Sequence, residues 1–98
     1  MVKGRNFRIQ VFLGILAVTL GAFFEISVFE WLALILIIAS VLILELINTA
    51  IEEIVNIVSP EIQERARVAK DVSAGAVLIA SLAAVFIGVF LFFPKIIQ

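Results

Sequence analysis

Charge is segregated along this chain, and that segregation constrains the fold more than any other feature. Three long apolar segments carry no charged residue: Ile9 to Phe24, Trp31 to Leu44 and Val72 to Pro94. A helix needs about 20 residues to cross the roughly 30 Å apolar core of a bilayer. The chain is 64% hydrophobic and only 15% charged, whereas a water-soluble domain has about a quarter charged residues. The sequence therefore predicts an integral membrane protein.

The apolar segments predict an all-α integral membrane fold, a single domain over residues 1–98 with three transmembrane helices. The expected boundaries are residues 7–24, 29–57 and 67–93 for the helices and 58–66 for a cytoplasmic connection. The second helix must pass through Glu45. Thirteen Leu, Ile and Val residues lie between Leu32 and Ile51. At about −0.3 to −0.6 kcal/mol each they outweigh one acidic residue at roughly +2.5 to +3.5 kcal/mol, so insertion is favourable.

The basic residues predict the orientation in the membrane. Six of the seven lie in the amino-terminal tail or near the connection between the second and third helices, and only Lys95 lies at the other end. Lys and Arg are enriched on the cytoplasmic side, so we expect a cytoplasmic amino terminus, an external carboxyl terminus and the cell inner membrane as the location. No basic stripe remains beyond these residues, so nucleic acid is not an expected partner.

The connections and the third helix carry local signals. The short outer segment from Glu25 to Glu30 predicts that the first two helices are antiparallel neighbours. Ser59, Pro60 and Glu61 are typical of a helix start, as N-cap, first-turn proline and acidic first turn. Small residues recur on the third helix at spacings of four and three, which favours close helix packing: Ala69, Ser73, Ala76, Ala80 and Ala83.

Several kinds of chemistry are excluded. The chain has no Cys and no His, so it has no disulfide, thiolate nucleophile, imidazole base or zinc site of the usual kind. Any metal must be a hard cation held by carboxylates. No G-x-x-x-x-G-K-[ST] motif is present, which excludes the phosphate-binding loop of soluble nucleotide-binding folds.

One face of the second helix is polar from mid-depth to its cytoplasmic end. At about 100° per residue the polar positions cover a face roughly 100° wide: Glu45, Asn48, Thr49, Glu52 and Asn56. Asn48 and Thr49 can be explained as interhelical hydrogen-bond partners, and Glu52, Glu53 and Asn56 as ordinary interfacial residues near a helix end. An acid well inside an apolar span is costly and by default marks a functional site. Glu45 is therefore the strongest candidate.

Lys70 and Asp71 open the third helix at the same cytoplasmic level as Glu52 and Asn56. Mg²⁺ is usually held by one or two carboxylates together with substrate phosphates. Carboxylates and an ammonium group at the membrane–water boundary therefore suit a magnesium-bound phosphate. Taken alone, Lys70 and Asp71 would be an ordinary interfacial charge pair.

Two motifs resemble a known family. Glu45 to Asn56 reads Glu-Leu-Ile-Asn-Thr-Ala-Ile-Glu-Glu-Ile-Val-Asn, and Ala69 to Val77 reads Ala-Lys-Asp-Val-Ser-Ala-Gly-Ala-Val. Together they resemble the signature of the prokaryotic diacylglycerol kinases, small integral-membrane lipid kinases that include undecaprenol kinases. The segment from Arg5 to Arg8 is similar to the family's entry into the first membrane helix. The resemblance covers nearly the whole chain.

The resemblance implies a homotrimer that transfers the γ-phosphate of ATP, with Mg²⁺, to a lipid alcohol such as diacylglycerol or undecaprenol. Glu45 would be the catalytic base and Glu52 the metal ligand. Other positions that match the family's site are Arg8, Asn48 and Ala74 as residues lining it, and Lys70, Asp71, Glu61, Gln63 and Asn56 as nucleotide-binding residues. The chain departs from the family at Gly4 and Asn56, where acidic residues are usual.

Two other functions stay open on the sequence alone. A small proton-coupled transporter would use Glu45 alternately for a proton and a cationic substrate. It would need a cavity that opens in turn to both sides, whereas the polar stripe reaches only the cytoplasmic side. A non-catalytic membrane scaffold is the second alternative, in which Glu45 has a structural role.

Overall fold

The computed structural model describes residues 2–59, 61 and 63–98, with side chains from Asn6 onward. Nearly all of these residues lie in three α-helices: α1 (Val2–Phe24), α2 (Val28–Val58) and α3 (Glu64–Ile96). The helices form an elongated bundle of 55 × 20 × 19 Å. All three are long and apolar enough to cross a membrane. The all-α class and the three helices of spanning length predicted from the sequence are confirmed.

α2 and α3 are longer than one membrane crossing requires, and the extra length of α2 lies at its polar end. α2 has 31 residues and α3 has 33. At 1.5 Å per residue α2 is roughly 46 Å long, about 16 Å longer than the apolar core of a bilayer. α2 is therefore longer than one upright crossing of the membrane requires. Its most polar end, after Asn48, can lie at the membrane–water boundary while the preceding apolar turns remain within the membrane.

A tight turn joins α1 to α2. Glu25 adopts a left-handed backbone conformation with φ 53°. Its N–H donates to the carbonyl of Ala22 at 3.3 Å, and the N–H of Ile26 donates to the carbonyl of Gly21 at 3.2 Å. This is the Schellman pattern that satisfies carbonyl groups at a helix end. The chain reverses within three residues, so α1 and α2 are antiparallel neighbours, as the short outer segment predicts.

The start of α2 is capped and tied to the end of α3. The hydroxyl of Ser27 accepts from the N–H of Glu30 at 3.2 Å, and the N–H of Ser27 donates to Glu30 Oε1 at 2.8 Å. This reciprocal pair is a capping box. The other carboxylate oxygen, Glu30 Oε2, accepts from Lys95 Nζ at 2.8 Å. One side chain thus caps α2 and fastens the carboxyl end of α3 to the same end of the bundle.

The start of α3 differs from the sequence prediction. Ser59 is the C-cap of α2, and its N–H donates to the carbonyl of Val55 at 2.8 Å. Its hydroxyl donates to the carbonyl of Glu61 at 3.2 Å. α3 begins at Glu64 with Gln63 as the N-cap. The prediction of Ser59 as an N-cap is therefore wrong, because α2 continues to that residue; Pro60 lies outside the described residues.

The packed core lies at the end of the bundle that contains the α1–α2 turn. Its buried members are Ile26, Leu34, Leu91 and Phe92, and Trp31 packs against them. The small-residue face of α3 is turned inward, since Ser73 and Ala80 are buried and the other members are half-buried. Both α1 and α3 pack against α2, so α2 is the central helix.

Close packing at the turn predicts a specific glycine requirement. A Cβ on Gly21 would lie 2.9 Å from Trp31 Cη2 and 3.0 Å from Ile26 Cδ1, whereas one on Gly75 would meet nothing within 4 Å. Forcing extra atoms into a packed site costs about 1–3 kcal/mol. We expect Gly21→Ala to lower the thermal unfolding temperature in detergent. Gly75→Ala is the matched control and should not lower it; equal effects of the two would contradict this packing account.

Candidate active site

A pocket of about 470 Å³ lies at the end of the bundle opposite the core, and all three helices line it. Its lining consists of Asn6, Ile9 and Gln10 from α1, Glu45, Asn48 and Glu52 from α2, and Ala74, Val77, Leu78 and Ser81 from α3. Carboxylates, amides and a hydroxyl therefore share one concave surface. A pocket with a few convergent polar groups is the default candidate for a functional site.

α2 supplies the acidic part of the pocket. Glu45, Asn48 and Glu52 are three and four residues apart, so the helical repeat places them on one face. Glu45 is buried, with 9% of its surface exposed, and Glu52 is half-buried. The two residues are about 10 Å apart along the helix axis, since seven residues separate them at 1.5 Å each. The pocket thus contains a deep carboxylate and a shallow one.

Two hydrogen bonds between side chains set the register of α3 against α2 beside the pocket. Ser73 Oγ donates to Asn48 Oδ1 at 2.6 Å, and Lys70 Nζ donates to Asn56 Oδ1 at 2.7 Å. Asn48 and Asn56 both belong to the polar stripe of α2. The bond at Asn48 is the interhelical contact that the sequence left open for that residue. Asn56, which the sequence explains as an ordinary interfacial residue, also has a partner on α3.

The structure brings together part of the residue set expected from the sequence. Glu45, Asn48, Glu52 and Ala74 line one pocket. Lys70 and Asn56 are bonded to each other. The remaining expected residues are exposed and do not line the pocket: Arg8 on α1, Asp71 on α3, and Glu61 and Gln63 in the connection.

α1 contributes polar residues that the sequence reasoning missed. Asn6 and Gln10 both line the pocket. They are four residues apart, so they lie on one face of the helix. Gln10 stands within the uncharged segment from Ile9 to Phe24. The sequence does contain a pattern that marks them, because Asn6 and Gln10 form a polar pair at helical spacing where a membrane span begins. Ser81 of α3 also lines the pocket, and no comparable pattern marks it.

The oxygen atoms of the pocket lining could hold a hard cation only together with further ligands. Glu52 and Glu45 offer carboxylate oxygens, and Asn6, Gln10 and Asn48 have carboxamide groups. Among the described residues no three acidic side chains are grouped so that they could hold a metal ion. Mg²⁺ commonly takes one or two carboxylates and completes its shell with water and substrate phosphates. The pocket fits that pattern of coordination.

An apolar groove adjoins the polar pocket. This second cavity, of about 350 Å³, shares Gln10 and Ser81 with the pocket. The rest of its lining is almost entirely apolar, with Leu13, Gly14, Ala17 and Leu20 from α1, Leu34, Ile38 and Val41 from α2, and Ala84, Gly88 and Phe92 from α3 among its residues. From Gln10 and Ser81 the groove follows all three helices toward the packed core. The polar pocket and the apolar groove therefore lie next to each other along the bundle.

The model of the prokaryotic diacylglycerol kinase family matches residues 1–92 of the chain. The chain belongs to the prokaryotic diacylglycerol kinase family. This confirms the resemblance carried by the two motifs. Both motifs of this family contribute to the polar pocket, the first through Glu45, Asn48 and Glu52 on α2 and the second through Ala74 and Val77 on α3.

Two named relatives share most of this chain. A diacylglycerol kinase from Synechocystis sp. is 40% identical over 95 residues, which cover 96% of this chain and 54% of that protein. An undecaprenol kinase from Bacillus subtilis is 35% identical over 92 residues, which cover 94% of this chain and 75% of that protein. The chain thus spans about half the length of the first relative and three quarters of the second. No solved structure matches the chain.

Proposed function

We propose that this protein is a lipid kinase that uses ATP to phosphorylate a membrane lipid alcohol, diacylglycerol or undecaprenol. The observation that carries the proposal is that the polar pocket around Glu45 adjoins the apolar groove, with Gln10 and Ser81 lining both. A lipid alcohol has the same division, with one hydroxyl and a long apolar chain. Family membership supports the same activity.

Glu45 is proposed as the general base. The lipid hydroxyl oxygen attacks the γ-phosphorus of ATP, the bond between that phosphorus and the β–γ bridging oxygen breaks, and ADP leaves. The hydroxyl proton passes to the Glu45 carboxylate. Phosphoryl transfer depends mainly on positioning and electrostatic stabilisation. A buried carboxylate at the inner end of a polar pocket can therefore accept the proton from a substrate that stays within its membrane.

The nucleotide is proposed to bind at the shallow end of the pocket. Glu52 would hold Mg²⁺, which supplies charge neutralisation for the phosphates when it is bound. Lys70 is fixed by the neutral Asn56, so its positive charge is not cancelled by that partner and can act on phosphate oxygens. The exposed residues Asp71, Glu61 and Gln63 are proposed to contact the nucleotide from the aqueous side.

The lipid is proposed to lie along the apolar groove. Gln10 and Ser81 stand where the groove meets the polar pocket, so they can contact the polar end of the lipid. Ala74 and Asn48 line the pocket itself, and Arg8 is proposed to contact the head group at the membrane boundary.

The packed core argues against a transporter. Leu34 and Phe92 line the end of the apolar groove and are themselves buried. Alternating access would require a polar route through this end, and the groove lining there, which includes Leu34 and Phe92, is apolar. A kinase needs access from one side of the membrane only. The scaffold alternative gives Glu45 a structural role but leaves the polar pocket beside it without a function.

The proposed setting is the cell inner membrane, with the amino terminus and the connection near Gln63 in the cytoplasm and the carboxyl terminus outside. The distribution of Lys and Arg supports this orientation. We also propose a homotrimer, which the resemblance to the family implies. Large apolar side chains are exposed along all three helices and would face lipid or neighbouring subunits.

Glu45→Gln is expected to abolish phosphoryl transfer while folding and nucleotide binding remain nearly intact. Gln keeps the shape and hydrogen-bonding capacity of Glu but cannot accept the proton. The measurement is transfer of radiolabelled phosphate from ATP to a panel of lipid alcohols in mixed micelles, together with thermal stability and nucleotide binding. A general base contributes about 10²- to 10⁴-fold, so the loss should be at least 100-fold.

Glu53→Gln provides the matched control for this experiment, because Glu53 is an exposed carboxylate on the same helix outside the pocket lining. It should retain activity. Full activity of Glu45→Gln would exclude the general-base role. Failure of Glu45→Gln to assemble would favour a structural role for Glu45 and the scaffold alternative.

Mg²⁺ and nucleotide are expected to bind together. Glu52 is the acidic side chain at the shallow end of the pocket, and phosphate oxygens must complete the metal's shell. Calorimetry should detect tight Mg²⁺ binding only with nucleotide present, and Glu52→Ala should weaken it. Tight binding of Mg²⁺ alone that persists in Glu52→Ala would contradict the assignment.

The orientation is testable with single cysteines, because the chain has none. Gln63→Cys lies in the exposed connection and Val28→Cys lies at the exposed outer turn. In sealed cells a membrane-impermeant thiol reagent should label Val28→Cys and leave Gln63→Cys unlabelled until the cells are opened. Labelling of Gln63→Cys in intact cells would overturn the orientation.

A further inference from the structure

Ser73 makes a buried hydrogen bond to Asn48, and Ser73 has no role in the reaction proposed above. Only 8% of its surface is exposed. Its hydroxyl lies 2.6 Å from Asn48 Oδ1 and 3.0 Å from the carbonyl oxygen of Lys70. A serine hydroxyl has one proton to donate, and we assign that proton to the shorter contact, with Asn48 Oδ1. O–H···O bonds are typically about 2.7–2.8 Å and N–H···O bonds about 2.9–3.0 Å. The 2.6 Å distance therefore fits a hydroxyl donating to the carboxamide oxygen.

This bond fixes the orientation of the Asn48 carboxamide beside the pocket. With its oxygen held by Ser73, the amide nitrogen and its two N–H donors are turned away from Ser73. Asn48 lines the pocket together with Glu45 and Glu52, which are acceptors when ionised. The reverse orientation would place the carboxamide oxygen toward these carboxylates. With the oxygen bonded to Ser73, the N–H donors are left for a site that is proposed to receive phosphate oxygens.

We infer that Ser73 is a positioning residue that holds the Asn48 carboxamide with its N–H donors directed at the transferring phosphoryl group. The inference rests on the proposed function. Donors aligned before the reaction stabilise charge that develops on oxygen in the transition state. An interaction that strengthens in the transition state raises kcat more than it lowers KM. Ser73 thus acts through Asn48 and does not touch the substrate.

The first test is the kinetic effect of Ser73→Ala on phosphorylation of the lipid alcohol that the wild-type protein accepts. Losing the bond frees the carboxamide to rotate, and one neutral hydrogen bond corresponds to about a fivefold effect. We expect kcat to fall about fivefold, with KM for the lipid alcohol changed by less than twofold. Ser73→Thr retains the hydroxyl and should recover most of the rate if it folds.

Ser40→Ala is the matched control. Ser40 is an exposed serine of α2 whose hydroxyl donates to the carbonyl of Leu36 at 2.7 Å, and it lines neither the pocket nor the groove. It should leave kcat unchanged. Removing Ser73 in an Asn48→Ala background should have no further effect on kcat, because the residue through which Ser73 acts is already gone. Additive losses in the double variant, or wild-type kcat in Ser73→Ala, would overturn the inference and leave the lipid kinase proposal standing.

A second measurement does not depend on activity. The side-chain amide of Asn48 can be observed by ¹⁵N NMR in micelles and assigned through its absence in Asn48→Ala. We expect its two N–H signals to shift or broaden in Ser73→Ala and to stay unchanged in Ser40→Ala. An unchanged signal in Ser73→Ala would overturn the inference. If the wild-type protein is inactive but the Asn48 N–H signals still change in Ser73→Ala, the kinase proposal is rejected. The bond that orients Asn48 is then confirmed, without a role in phosphoryl transfer.

Discussion

The cost of holding the Glu45 carboxylate within an apolar helix is the constraint on which the polar half of this protein depends. A charged group cannot face hydrocarbon without a large penalty, so the surrounding helices must provide polar or aqueous surroundings. α1 contributes Asn6 and Gln10, α2 its own polar face, and α3 contributes Ser81. The pocket is thus what makes a buried carboxylate tolerable, and under the proposed function it also gives that carboxylate access to the lipid hydroxyl.

The packed apolar core lies at one end of the bundle, and the polar candidate site lies at the other. At one end, apolar side chains pack around Phe92, the α1–α2 turn is closed by backbone hydrogen bonds, and Lys95 binds Glu30. At the other end, α2 and α3 are joined by hydrogen bonds between polar side chains. Open space remains at the polar end, and the apolar groove adjoins it, with Gln10 and Ser81 lining both cavities.

Much of the candidate site was predictable, because helical periodicity acts within one element. The spacing of Glu45, Asn48 and Glu52 places them on one face whatever surrounds the helix, and all three line the pocket. Asn6 and Gln10 were harder to assign because their significance depends on which face of α1 meets α2. The N-cap assigned to Ser59 failed for a related reason: a serine before a proline is compatible with a helix start or a helix end, and only the extent of α2 distinguishes them.

The sequence by itself determined that three helices form and that α2 carries its polar residues on one face, because burial in hydrocarbon leaves an uncharged segment of that length little choice but a helix. Only the tertiary structure decided which polar groups meet. The bond from Ser73 to Asn48 depends on the rotation and axial position of α3 against α2, and neither follows from a repeat within one helix. Likewise, the polar pocket and the apolar groove exist only as spaces between three helices, so no single segment of the sequence encodes them.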